Sequence, residues 1–255
     1  RLERQLDGVA GSANPLRHLG SLAVLTLWLM AGTGIWLFAV LQTSATGSYE
    51  SIAALSQRPW AVGALMRSVH RYAADAFVLL VALHLVRELV KGHWRHFRRF
   101  TWLTGTALLP IMAVSAIGGF WLSWDRLAQF SATASMELLD ALPLLGATLA
   151  RNFLGSAQLG DRMFSLFIFV HVGMALLLVF GLWFHLQRLA RAAVFPPRAA
   201  AMALAGALLA LAAVSPVTSQ GLADLATVPQ QLRLDWFILS LHPLMYATSA
   251  QFVWL

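Results

Sequence analysis

The sequence predicts an all-α membrane protein: a polytopic transmembrane helical bundle with a four-helix core, helices A–D, followed by helix E and a truncated helix F. Three observations carry that expectation. Of 255 residues, 59% are hydrophobic and only 11% are charged, roughly half the charged share of an ordinary soluble domain. Apolar runs of about 20 residues, long enough to cross a bilayer, recur along the chain. Basic residues gather on one side of those runs.

The elements follow in order. Helix A covers about 17–42, from "RHLGSLAVLTLWLM" to "LFAVLQT", and a polar loop with "TGSYES" and Pro59 follows it. This first run is full length and is succeeded by others, so it does not read as a cleaved leader. Helix B spans about 62–90 and ends in "KGHWRHFRR"; helix C covers about 101–122. The connection 123–161 holds "SWDRLAQFSATASMELLDALPLLG", which predicts short surface helices instead of another span. Helix D is about 162–191, Pro196-Pro197 separates it from helix E at about 199–215, and a loop at 216–234 leads to a sixth apolar run from Asp235. Residues 1–195 thus form the expected core, and 196–255 the flank. A chain that lacks an initiator methionine and ends in "QFVWL" within an apolar run reads as trimmed.

Charge sets the expected orientation. The N-terminus, the B–C loop and the D–E loop carry Arg1, Arg4, Arg17, Arg87, Lys91, Arg95, Arg98, Arg99, Arg188, Arg191 and Arg198 against Glu3, Asp7 and Glu88. The opposite side, counted with the intramembrane charges of helix B, has seven basic and eight acidic residues. The positive-inside rule puts the N-terminus in the cytoplasm. The net charge of +7 is therefore a topology signal, and no nucleic-acid partner is implied. Without cysteine, the chain offers no thiolate for zinc, iron–sulfur clusters or covalently attached haem.

Histidines supply the chemistry. Helix B carries His70 and His84, and helix D carries His171 and His185, each pair fourteen residues apart. Fourteen α-helical residues turn through about 1400°, close to four full turns, and rise about 21 Å. Each helix then shows two imidazoles on one face, one near each membrane surface. Helices B and D run in the same direction, so His70 lies level with His171 and His84 with His185. A single histidine in a membrane helix is as readily explained by a bond to a neighbouring helix. Two depth-matched pairs instead describe axial-ligand sites for two planar macrocycles, and the levels are too far apart for one zinc ion. The reading is two non-covalent b-type haems, with His70 and His171 on the outer iron and His84 and His185 on the inner.

Glycines repeat the interval. Helix A has Gly20 and Gly34, and helix C has Gly105 and Gly119, both fourteen apart. Small residues commonly let membrane helices pack closely. At matched depths beside the histidines, they are expected to leave room for the macrocycles. Arg67, Arg87 and Arg188 stand near the helix ends, where guanidinium groups would meet haem propionates; interfacial snorkelling is the competing account of Arg87 and Arg188.

These features resemble the cytochrome b subunit of cytochrome bc-type (Rieske/cytochrome b) quinol oxidoreductases, in a divergent bacterial branch. The resemblance takes in "NPLRHLGSLAVLTLWLMAGTGIW", "SYESI", helix B, "IGGFWLSW", "SATASMELLDALPLLG" and "SPVTSQGLADLATVPQQLRLDWF". It implies a low-potential outer haem and a high-potential inner haem, and quinone or quinol as substrate. It implies partners too: a Rieske or ferredoxin-like protein, a c-type cytochrome and a possible homodimer, in the bacterial inner (cytoplasmic) membrane. The family's outer quinol site uses Pro-Glu-Trp-Tyr. Here Leu234-Asp235-Trp236-Phe237 stands in its place, so Asp235 becomes the candidate proton acceptor, with helix capping its plainer alternative. The family's inner-site histidine and aspartate have no counterpart in "LARAAVFPPRAAA"; His18, Asn14 and Arg198 lie on that side. His93 and His96 read as solvated, and His242 faces either a quinone or another helix. Phe167 occupies the place of the family's first helix-D histidine, and His171 follows one turn later with the spacing to His185 intact. Two other classes stay open: a b-haem membrane anchor of the hydrogenase or formate dehydrogenase type, and a haem-free assembly or transport subunit.

Overall fold

The structure is a computed structural model that describes residues 2–57, 62–142, 160–187, 189, 192–235 and 238–254. Among these, regular structure is helical apart from one isolated bridge between Asp125 and Leu222. The helices are α1 (Leu2–Ala10), α2 (Leu19–Val40), α3 (Gly47–Ser56), α4 (Val62–Val90), α5 (Arg99–Trp121), α6 (Arg126–Asp140), α7 (Asp161–Leu186), α8 (Arg198–Val214), α9 (Leu241–Ala247) and α10 (Ala250–Val253). Helices A–E correspond to α2, α4, α5, α7 and α8. The described residues of the sixth apolar run hold two short helices: α9 closes at Thr248, and Ser249 caps α10 by accepting Phe252 N–H at 3.1 Å.

By length and apolar character, α2, α5 and α7 can cross a membrane. The 22 residues of α2 rise about 33 Å, matching a hydrocarbon core of about 30 Å. Their outer faces carry Trp28, Ile35, Phe38, Leu103, Phe169, Leu176, Phe180 and Trp183, all exposed. The 29-residue α4 is less apolar because it holds Arg67, Arg71, Asp75, Arg87 and Glu88. Arg71 and Asp75 neutralise each other one turn apart at 2.5 Å, the arrangement that lets charges persist in such a helix.

Contacts group the chain into two compact units. The first comprises residues 1–40, 55–109 and 178–217. Here α2 lies along α4, burying Leu19, Leu22, Ala23, Val24 and Leu27 of the one with Ala64, Val69, Ala73 and Phe77 of the other. The loop after α8 is tied to α4 by Val217 N–H donating to Ser68 Oγ (3.0 Å) and by Tyr72 Oη donating to Ser215 O (2.6 Å).

A polar latch docks α1 in this unit. The fully buried Asn14 accepts Leu16 N–H through Oδ1 and donates through Nδ2 to Glu3 O (2.9 Å) and Asp7 Oδ1 (2.8 Å). Arg87 and Lys91 each reach the Glu3 carboxylate at 3.1 Å, and Arg17 pairs with Asp7. The Arg87 guanidinium, then the Lys91 ammonium, hold the Glu3 carboxyl below the usual carboxylate range; Arg17, then Asn14, do the same for Asp7.

The second unit comprises residues 41–54, 110–177 and 218–255. Its core joins Trp121, Trp124, Phe164 and Phe167 to the small buried face of α6, Ala128, Ala132 and Met136. The expectation of a surface helix at 126–140 changes here: alanines and Ser131 have no exposed area, so α6 is a packed element. Asp125 caps it, accepting Ala128 N–H at 2.9 Å through Oδ1, while Oδ2 accepts Gln220 N–H at 2.9 Å. Gln129 clasps the same loop, donating to Asp224 O (2.6 Å) and Thr227 O (2.8 Å) and accepting Asp224 N–H (2.9 Å). Gly221, at φ 92°, supplies the left-handed turn in that clasp.

Two outcomes follow. Gln129→Leu leaves three buried or half-buried backbone groups without their partner and should cost roughly 1–3 kcal/mol, seen as a lower unfolding midpoint and earlier proteolysis within 218–235. The latch carboxyls have depressed folded pKa values, so their contribution is present above the unfolded value of about 4 and lost as pH falls through the folded one. Hydrogen exchange of Leu2–Ala10, corrected for intrinsic rates, should therefore accelerate on acidification, and Glu3→Gln should reproduce part of that loosening at neutral pH.

Candidate functional site

The four histidines and the four glycines meet one to one. A methyl group at Gly20 would lie 3.5 Å from Cε1 of His84; at Gly34, 3.0 Å from Cε1 of His70; at Gly105, 2.9 Å from Cε1 of His185; and at Gly119, 3.0 Å from Cε1 of His171. Each glycine thus yields its side-chain volume to an imidazole on a neighbouring helix. The expectation that these glycines leave space for a macrocycle acquires a nearer cause: they seat the rings.

The seat has a polar purpose. His70 Nδ1 lies 3.1 Å from Met30 O, and His171 Nδ1 lies 2.8 Å from Ser115 O. In both cases the bonded residue sits four before the facing glycine: Met30 before Gly34, and Ser115 before Gly119. That carbonyl accepts the glycine's own N–H in the helix ladder and keeps a second lone pair. Any side chain at the glycine position would stand over the lone pair, as serine and threonine do when they bond back to i−4. Glycine uncovers it.

This bond settles the tautomer. A carbonyl only accepts, so Nδ1 must carry the hydrogen, and in a neutral ring Nε2 then carries the lone pair. Two hydroxyls add to the anchoring. Thr33 Oγ1 lies 3.0 Å from His70 Nδ1, and Thr104 Oγ1 lies 3.1 Å from His185 Nδ1. Each hydroxyl hydrogen is directed to its own helix, to Leu29 O at 2.7 Å and to Phe100 O at 3.0 Å, so each oxygen accepts from the histidine. Sequence reasoning missed Thr33, Thr104 and Ser115. The repeated Thr-Gly dipeptide at 33–34 and 104–105 was the available signal for two of them.

Three rings are therefore prepared as neutral nitrogen donors through Nε2, the chemistry a metal ligand requires. His84 and His185 both lie in the first unit. Among the described residues, no three His, Cys, Asp or Glu side chains converge to hold a bare ion. Paired imidazoles suit a metal that brings its own in-plane ligands, and a porphyrin iron meets that condition.

The remaining expected residues fall out differently. Arg67 Nη1 donates to Ser56 Oγ at 2.6 Å. Arg87 is already engaged by two carboxylates, Glu88 at 2.8 Å and Glu3 at 3.1 Å. Arg188 lies outside the described residues, as do Trp236 and Phe237. Asp235 Oδ1 accepts the N–H groups of Ile238 and Leu239, the geometry of a cap. His242 packs onto α6: it is 1% exposed, with Nε2 at 3.0 Å from Ser135 Oγ and its ring edge-on to Phe130. His93 bonds Glu88 instead of standing free in solvent, and His18 Nε2 lies 2.9 Å from Ser12 O. Phe167 is fully buried, with its ring 4.9 Å from that of Trp121; it is a core residue of the second unit, while His171, one turn on, takes the glycine seat.

An internal control tests the seats. Gly32, two residues before Gly34 on α2, faces open space. Gly34→Val should overpack against His70 and cost about 1–3 kcal/mol, whereas Gly32→Ala should be neutral or stabilising by up to about 1 kcal/mol. Thermal unfolding of both variants in detergent checks the contrast; equal effects would contradict the seating.

Comparison with known proteins places this geometry. The family model described as cytochrome b/b6/petB matches residues 9–193. The chain is similar to the cytochrome b6 of Heliobacterium mobile, at 28% identity over 163 residues, 64% of this chain and 76% of that protein. A chain of the solved structure titled hyperthermophilic respiratory Complex III shares its fold with a TM-score of 0.73 at 17% identity, covering 93% of this chain and 70% of that one. With apolar spans, glycine-seated histidines and a family match across most of its length, the chain belongs to the cytochrome b/b6 family of integral membrane proteins.

Proposed function

We propose that this chain is a dihaem cytochrome b that carries electrons across the membrane between the quinone pool and partner redox subunits. The observation that supports the reading most directly is the anchoring of the imidazoles through Nδ1, which leaves Nε2 as the donor nitrogen. His70 and His171 would hold the outer haem iron, and His84 and His185 the inner. Gly20, Gly34, Gly105 and Gly119 seat those four ligands, and Arg67, Arg87 and Arg188 would serve the propionates. A bound b-type haem supplies one-electron iron chemistry. The protein orients the ligands, keeps them neutral in an apolar surrounding and sets two levels about 21 Å apart along each helix.

In this reading residues 1–195 carry the haems and residues 196–255 flank an outer quinol site. Asp235 is the candidate proton acceptor there, a duty it would combine with capping the turn before α9. The family membership and the likeness to a respiratory complex subunit support partners in a larger assembly: a Rieske or ferredoxin-like protein and a c-type cytochrome, with a homodimer of this chain. The N-terminus lies in the cytoplasm and the protein in the bacterial inner membrane, as the basic residues of the A, B–C and D–E ends favour.

Redox titration of the purified complex with a quinol analogue is the decisive measurement. Two b-type transitions reducible by quinol are expected, with one lost in His84→Ala and the other in His171→Ala. A single transition in the unaltered protein fits a haem-bearing anchor subunit instead, and no haem spectrum at all would rule the proposal out.

A further inference from the structure

Two stretches of this protein repeat one device. In α2, Leu29, Met30, Thr33 and Gly34 stand in the same register as Phe100, Thr101, Thr104 and Gly105 in α5. Each glycine seats an imidazole, and at Gly34 the Met30 carbonyl four residues earlier accepts from Nδ1 of His70. Each threonine hydroxyl bonds back to its own helix and offers its oxygen to the same Nδ1, at 3.0 Å to His70 and 3.1 Å to His185. The other two seats have no threonine before the glycine. Gly119 is preceded by Gly118, so His171 has the Ser115 carbonyl, and Gly20 is preceded by Leu19. In the depth pairing proposed above, each haem would therefore have one hydroxyl-anchored ligand and one without.

We infer that Thr33 and Thr104 are positioning residues that strengthen electron donation by His70 and His185, and so lower the reduction potential of one haem each. The inference rests on the dihaem reading. An acceptor on Nδ1–H draws that hydrogen away from the ring and makes Nε2 the better donor. A better donor favours the oxidised iron, which carries the higher charge. Burial makes the effect count, because Thr33 is only 8% exposed and water does not replace a lost partner there. The threonine also ties the ring to the helix that seats it, restricting its rotation.

Potentiometric titration of single variants separates this role from simple packing. Thr33→Val keeps shape and removes the oxygen; it should raise one b-type couple and leave the other in place. Thr104→Val should do the reverse. Each variant removes one hydroxyl acceptor from Nδ1, so the iron equilibrium should shift by about two- to tenfold in each case, and tenfold corresponds to about 59 mV for a one-electron couple. Thr33→Ser and Thr104→Ser, which keep the hydroxyl, should restore the native values. If valine prevents assembly, the alanine variants give the same reading. Potentials that do not move, or two couples that move together in one variant, would overturn the inference while leaving the dihaem reading intact. Unaltered protein without two b-type couples would instead remove the reading beneath it.

Discussion

A carbonyl inside an α-helix accepts one N–H and keeps a second lone pair, which the side chain one turn further on normally covers. In this protein glycine occupies that covering position at the seats of His70 and His171, and an imidazole takes the exposed lone pair. Much else depends on this contact. It demands close helix approach, it protonates Nδ1, and it leaves Nε2 as the donor. The fourth seat, Gly20 with His84, shows the same close approach with the longest spacing, 3.5 Å. Glycine in a helix costs roughly 0.5–1 kcal/mol relative to alanine, and at the seats of His70 and His171 a part-buried hydrogen bond to the ring offsets that cost.

Charges are handled by the same economy of partners. Arg87 stands where an anionic group of a cofactor was expected, yet it joins Glu88 of its own helix to Glu3 of α1. One guanidinium with several donors can serve more than one carboxylate, so α1 docking and any propionate contact would draw on the same group. Arg71 and Asp75 solve a simpler problem, neutralising each other within α4. On the second unit, Asp125 and Gln129 hold the loop after α8 through backbone groups alone. That arrangement tolerates a changed loop sequence while preserving the loop's path.

Much of the fold was legible in residue order because bilayer thickness dictates element length. The span predicted at 62–90 matches α4 at both ends, despite five charges, since its apolar positions keep a helical period. The expectation failed to anticipate how deeply α6 would be buried. Its alanines and serines look polar and small in sequence, and only the large rings of Trp121, Trp124 and Phe167 on other elements explain why small residues fit there. The sixth run looked continuous because hydropathy does not register a capping serine; Ser249 divides it. Asp235 carried two readings, and the geometry assigns its Oδ1 to backbone N–H groups.

Sequence by itself determined the membrane class, the spans and the doubled fourteen-residue interval of histidine and glycine, because periodicity and length are properties of a single helix. Which glycine receives which histidine, which nitrogen carries the hydrogen, and that Thr33 and Thr104 share in anchoring were decided only by the tertiary structure. Those facts concern a lone pair on one helix and a ring on another. Spacing along a chain places residues on a face, but the distance between two faces comes from packing.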